Sequence, residues 1–189
     1  MLSVSQYSRR CLGSLAVSAA LGLAATLTVT GASMAQETIK IGLILPMTGP
    51  SASTGRQQEA AAKLYMQQNG ATVAGKKIEL IVKDDTGAPD TTKRLAQELI
   101  VNDKASVLLG FGLTPLALAV APLATQAKVP QIVTAAATAM ITEQSPFILR
   151  TSFTLPQSSV IIADYALKKN MKKIVTIVSD YAPGADAEK

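Results

Sequence analysis

"TIKIGLILPMTGPSASTGRQQEAAAKLYMQQNG", Thr38 to Gly70, carries the fold in miniature. Its start, Thr38–Leu45, is a short apolar run with β-branched residues, which predicts a buried strand. Its end, Arg56–Gly70, sets Ala60, Leu64 and Gln67 on one face with Ala61 and Tyr65 beside them. That spacing predicts a helix, closed by Asn69-Gly70. Between the two lies a loop of Gly, Ser, Thr and Pro. A helix start presents free backbone N–H groups and favours negative charge, so such a loop can receive an anion.

The loop does not fit the known phosphate cradles. A Walker loop needs G-x-x-x-x-G-K-[ST]. Here Gly49 and Gly55 frame one residue too many, and Arg56 follows. The dinucleotide fingerprint needs G-x-G-x-x-G directly after the strand. The glycines stand at 42, 49 and 55, the first of them inside the strand. What remains is a set of hydroxyls (Ser51, Ser53, Thr54) and N–H groups suited to a carboxylate or another small anion, or to simple capping.

The strand–helix unit then recurs. "KKIELIVKDD" (76–85) predicts a strand. "APDTTKRLAQELIVND" (88–103) predicts a helix opened by Pro89, with Leu95, Leu99 and Ile100 buried and Arg94 pairing with Glu98. "ASVLLG" (105–110) is a third strand. "TPLALAVAPLATQAK" (114–128) is a helix with Thr114 as its N-cap, kinked or split at Pro122. "PQIVTA" (130–135) is a fourth strand, and "FILRTSF" (147–153) is extended. "PQSSVIIADYALKKN" (156–170) is a helix, "KKIVTIVSD" (172–180) a strand, and "PGADAEK" starts another helix.

Alternation of this kind predicts an α/β fold: a parallel-sheet, Rossmann-like lobe with helices on both faces. Residues 36–155 form that first lobe. Residues 156–189 read as the start of a second, similar lobe, so the chain is expected to be a fragment. Ligands in such folds sit beyond the carboxyl ends of the strands. The expected edge loops are 46–55, 84–88, 110–114, 135–138 and 179–184. Three of them put hydroxyls at helix mouths: the first loop, Thr114, and the pair Thr134 and Thr138 around three alanines. Together they predict a small-molecule cleft.

The first 35 residues read separately. Arg9 and Arg10 precede an apolar run from Leu12 to about Val29, and "GASMAQ" follows. Charged start, apolar middle and small-residue end predict a secretory signal cut after Ala35. A membrane anchor is the alternative, but Gly13, Gly22 and several hydroxyl residues interrupt the run. Past the leader, 16 basic residues face 13 acidic ones, scattered and with few aromatics, which is no nucleic-acid surface. The chain has no histidine, and Cys11 lies in the leader. Cys/His nucleophiles, histidine acid–base chemistry and ordinary zinc ligation are thereby removed. No metal and no cofactor is expected.

"IKIGLILPMTGPSASTG", "KKIELIVKDDTGAPDTTKRLAQELIVNDKASVLLG" and "VPQIVTAAATAMIT…FILRTSF" resemble the periplasmic solute-binding proteins of the branched-chain amino acid (Leu/Ile/Val) type. The resemblance spans residues 38–189. Its motifs are T-G-P-x-A-x-x-G, the acidic K-D-D turn, and T-x-A-A-T followed by L-R-T-S. It implies a type I periplasmic-binding fold of two α/β lobes closing on a ligand, and no enzymatic activity. It also implies a periplasmic location and delivery to the permease of an ATP-binding-cassette importer. By the same resemblance, Thr114 offers a hydroxyl, Ala136 a backbone carbonyl, and Thr138 a hydroxyl and N–H to an amino acid's charged groups. Thr54 lines the ligand, and Tyr181 matches a second-lobe tyrosine. Where the family is often serine-rich after the third strand, this chain reads "LTPLALA". The expected ligand is a branched-chain amino acid or a related small carboxylate or amide. A ligand-sensing domain regulating a partner protein is the alternative, and a nucleotide-using α/β enzyme a third reading.

Overall fold

In the computed structural model, residues 37–188 are described; the leader and its expected cleavage point lie outside them. The elements run β1 (Thr38–Leu45), α1 (Ala52–Asn69), β2 (Thr72–Val73), β3 (Lys76–Asp84), α2 (Pro89–Val101), β4 (Val107–Gly110), α3 (Thr114–Ala127) and β5 (Gln131–Val133). A 3-10 helix (Ala139–Gln144), β6 (Ile148–Arg150), α4 (Leu155–Lys168) and α5 (Ala182–Ala187) complete them.

The strands form one sheet in the order β2-β3-β1-β4-β5-β6. All pairings are parallel except the short β2–β3 ribbon. β1 pairs with β3 along its whole length, Thr38 against Lys77 through Leu45 against Asp84. It pairs on its other side with β4, Ile41 against Val107 through Ile44 against Gly110. The chain therefore steps outward from β1 to β3, then crosses back over β1 to β4. That reversal makes a switch point, where the loops after β1 and β4 part and leave a crevice at the carboxyl edge.

Packing against this sheet explains which side chains are apolar. Ile44, Leu108 and Val133 from the strands and Phe111 just past β4 meet Leu99 of α2 and Ala117, Val120 and Ala124 of α3 in one buried cluster. Leu95 and Leu99 are buried as the spacing predicts, and Arg94 meets Glu98 at 3.7 Å. Lys83 takes the other Glu98 oxygen at 2.7 Å, tying β3 to α2. That hydrogen bond raises the Lys83 pKa and lowers the Glu98 pKa.

Four expectations change. Thr114 is the first residue of α3 and not its cap; Leu113 holds the cap position, and the Thr114 hydroxyl bonds elsewhere. α3 runs unbroken through Pro122, with the ring on the outward side. Proline removes one N–H there, so the Leu118 carbonyl loses its i+4 donor without ending the helix. In α1 the Leu64–Tyr65 face is exposed, and burial is confined to Ala52 and Gly55 near its start. Finally, Lys172–Asp180 forms no strand. Strand structure needs a pairing neighbour, and this segment has none among the described residues; Val175 and Ile177 are 88% and 95% exposed.

Candidate functional site

Five parallel strands deliver five loops to one edge: 46–51, 85–88, 111–113, 134–138 and 151–154. The first is held by the end of β3. Asp84 accepts hydrogen bonds from the Met47 N–H at 2.9 Å, the Thr86 N–H at 2.8 Å and the Thr48 hydroxyl at 2.7 Å. Burial works to raise the Asp84 carboxyl, but these bonds outweigh it and leave its pKa below the usual value. Thr48 is thus a clamp on the loop. Gly55 has a similar purpose: a Cβ there would lie 2.2 Å from the Pro46 carbonyl oxygen. The glycine lets α1 start directly against the loop. Thr54, beside it, is exposed.

The β4 loop is bent more sharply. Gly110 has φ +126° and Phe111 φ +64°, a left-handed conformation that a bulky residue rarely adopts. The surroundings hold it there. The Phe111 side chain is fully buried, its N–H donates to Ile44 O at 3.1 Å, and its carbonyl accepts from the Ala136 N–H at 3.1 Å. Gly110 O accepts from both the N–H and the hydroxyl of Thr134. The Thr134 hydroxyl also meets the side-chain amide of Gln58, in the second turn of α1. The β1, β4 and β5 exits are thereby tied together.

At the centre of this edge the Thr114 and Thr138 hydroxyls share a hydrogen bond of 2.8 Å. Thr114, Ala136 and Thr138 are 0%, 3% and 2% exposed. Three residues expected at the site are therefore brought together, as a closed hydroxyl pair beside a small-residue backbone. Among the described residues no hydrogen bond joins Thr54 or Tyr181 to this group; Tyr181 holds the cap position of α5 and is 44% exposed.

Two residues that sequence reasoning missed frame the same segment. Arg150, the last residue of β6, donates to the carbonyls of Ala137 (3.4 Å) and Thr138. Asp186 of α5 accepts the Ala139 N–H at 2.8 Å. Burial lowers the Arg150 pKa, and the Asp186 charge opposes that shift. The Ala137 carbonyl is also taken by the Leu155 N–H, and the Thr138 carbonyl by the Ile141 N–H. The Ala136 carbonyl and the Thr138 N–H make no hydrogen bond with the described residues. The Ala136 carbonyl and the Thr138 N–H thus stand unpartnered among the described residues, beside the closed hydroxyl pair. Sequence gave little signal for Arg150 beyond its place in "LRTS".

A groove of about 470 Å³ lies elsewhere, along the flank of α3, lined by Leu118, Pro122, Thr125, Met140 and Gln144. It converges no charged or strained group, so its size does not outweigh the polar edge as a candidate site.

In a doubly wound lobe with a switch point beside β1, small-molecule sites lie in the crevice at the carboxyl edge, where this lobe gathers its polar groups. The chain belongs to the periplasmic binding protein family, whose model matches residues 38–189. The Leu/Ile/Val-binding protein homolog 6 of Brucella abortus is 43% identical over 153 residues, 80% of this chain and 39% of the relative. A solute-binding protein of an ABC transporter from Rhodopseudomonas palustris BisB5, in complex with 3,4-dihydroxybenzoic acid, is 67% identical. Its TM-score is 0.79, over 80% of this chain and 42% of that one. A second R. palustris solute-binding protein, in complex with 4-hydroxybenzoate, is 45% identical with a TM-score of 0.78 over the same shares. The chain spans about two-fifths of the length of these relatives.

Proposed function

We propose that this chain forms the ligand-receiving lobe of an exported solute-binding protein serving an ATP-binding-cassette importer. Its ligand in this reading is a small aromatic carboxylate of the hydroxybenzoate class. The observation that carries the proposal is the Thr114–Thr138 hydroxyl pair beside the unpaired Thr138 N–H at the sheet's carboxyl edge. Donors of this kind suit a carboxylate. The acids near this edge are engaged or buried: Asp84 holds the first loop, Asp85 is buried, and Asp186 accepts from Ala139. The hydroxybenzoates in complex with the two solute-binding relatives support a plain carboxylate as the ligand.

In this mechanism Thr114, Ala136 and Thr138 seat the ligand, with Thr54 and Tyr181 toward its rim. Closure of a second lobe shields it, and the permease reads the closed form. No bond is made or broken. In this reading the leader directs export and is removed after Ala35. One lobe supplies only part of the contacts, so the chain by itself binds weakly. Titration of the chain with 4-hydroxybenzoate and with leucine, followed by NMR, tests the ligand class. Saturable shifts with the hydroxybenzoate and none with leucine support the proposal. The reverse pattern, or no shift with either, refutes it.

A further inference from the structure

Arg150 stands out because its charge is spent on backbone carbonyls. Its guanidinium bonds to Ala137 O and Thr138 O, and its Nε is buried with no partner. The Ala137 carbonyl and the Thr138 N–H belong to one peptide unit. A cation on the oxygen end of a peptide draws electron density from the nitrogen end and strengthens its N–H as a donor. The Thr138 N–H is unpaired among the described residues. We infer that Arg150 is a positioning residue that selects an anionic ligand through the 137–138 peptide, without touching the ligand.

The remaining bonds fit this role. The neighbouring peptide has Arg150 on its carbonyl and Asp186 on its N–H, so it is held at both ends. Asp186 therefore balances part of the guanidinium charge. The segment 134–138 has no sheet partner beyond β5 and is built of small residues, so these contacts fix the direction of its peptide groups. Arg150 is available because β6 is an edge strand ending opposite Val133, where β5 gives way to this segment. A lysine could supply the charge but not two parallel donors to successive carbonyls.

The inference rests on the ligand reading above, so the test separates the two. The full chain, wild type and variants, is titrated with 4-hydroxybenzoate and with its neutral isostere 4-hydroxybenzamide. A through-peptide charge acts on the carboxylate and little on the amide. Arg150→Met should lower the carboxylate-to-amide affinity ratio about tenfold, the scale of one charge acting across a peptide group in partly screened surroundings. Asp186→Asn keeps an acceptor for Ala139 and removes the counter-charge, so it should raise that ratio severalfold. The opposite signs distinguish charge from damage to the fold. Equal losses for both ligands in Arg150→Met, with no rise in Asp186→Asn, would make Arg150 structural and overturn the inference. If the wild type binds neither probe, the ligand reading fails. The Thr138 amide proton of the ligand-free chain then decides the inference: an upfield shift in Arg150→Met supports it, and no change overturns it.

Discussion

Replacing Thr114 and Thr138 by valine, singly and together, separates the packing role of the hydroxyl pair from its role in binding. Valine keeps the shape of threonine and removes the hydroxyl. In the wild type each hydroxyl is the partner of the other at 2.8 Å, and both residues are almost wholly buried. Thr114→Val leaves the Thr138 hydroxyl buried and unpaired, which costs about 1–3 kcal/mol, and Thr138→Val does the converse. The double variant leaves neither group unpaired, so its loss should fall well below the sum, with a coupling energy of about 1 kcal/mol or more. For a domain of this size each kcal/mol lowers Tm by about 2–4 °C. Urea unfolding of the four proteins closes the cycle. The double variant should fold nearly as well as the wild type and no longer respond to 4-hydroxybenzoate. Strictly additive losses would mean that the two hydroxyls do not depend on each other. Retained binding in the double variant would remove the pair from the site.

Other substitutions probe the frame around it. Gly110→Ala places a Cβ 2.0 Å from Ile44 O at φ +126°, and should cost at least about 2 kcal/mol in chemical denaturation. Gly55→Ala, at 2.2 Å from Pro46 O, should destabilise less where the loop can move, and should shift the Met47 and Thr48 amide resonances. Asp85 is fully buried, with Oδ1 bonded to the Gly87 N–H and Oδ2 unpaired. Burial raises its pKa above 3.8, the Gly87 bond opposes the shift, and the Asp84 charge adds to it. A raised carboxyl costs stability above its folded pKa, and that cost is relieved as pH falls toward 3.8. Asp85→Asn should therefore stabilise the chain at pH 7 and lose that advantage as pH falls toward 3.8, read in thermal melts across pH. Asp84 has the opposite sign: its pKa is lowered, so its contribution is present above 3.8 and lost as pH falls through the folded value.

Much of this architecture is legible in the chain because local signals and tertiary demands coincide. β1 lies where its apolar, β-branched run lies, since a strand buried on both faces needs no alternation. α2 shows its inward stripe because one face meets the core and the other meets water. The site is less legible for a specific reason: its decisive bonds join residues far apart in sequence. Thr114 has every local mark of a cap, proline included, yet its partner is Thr138, twenty-four residues on. Arg150 and Asp186 have no local pattern at all; their meaning comes from β6 ending beside the exit of β5. Lys172–Asp180 errs in the other direction. Its propensity for a strand is high, but a strand exists only where another backbone accepts its hydrogen bonds.

The most direct measurement is a residue-resolved NMR titration of the chain with 4-hydroxybenzoate. Shifts that saturate together at Thr114, Ala136, Ala137 and Thr138, with the groove beside Pro122 unmoved, are the expected result. Shifts centred on Leu118, Pro122 and Met140, or no saturable shift at the sheet edge, would contradict the assignment of the binding site to the carboxyl ends of β4 and β5.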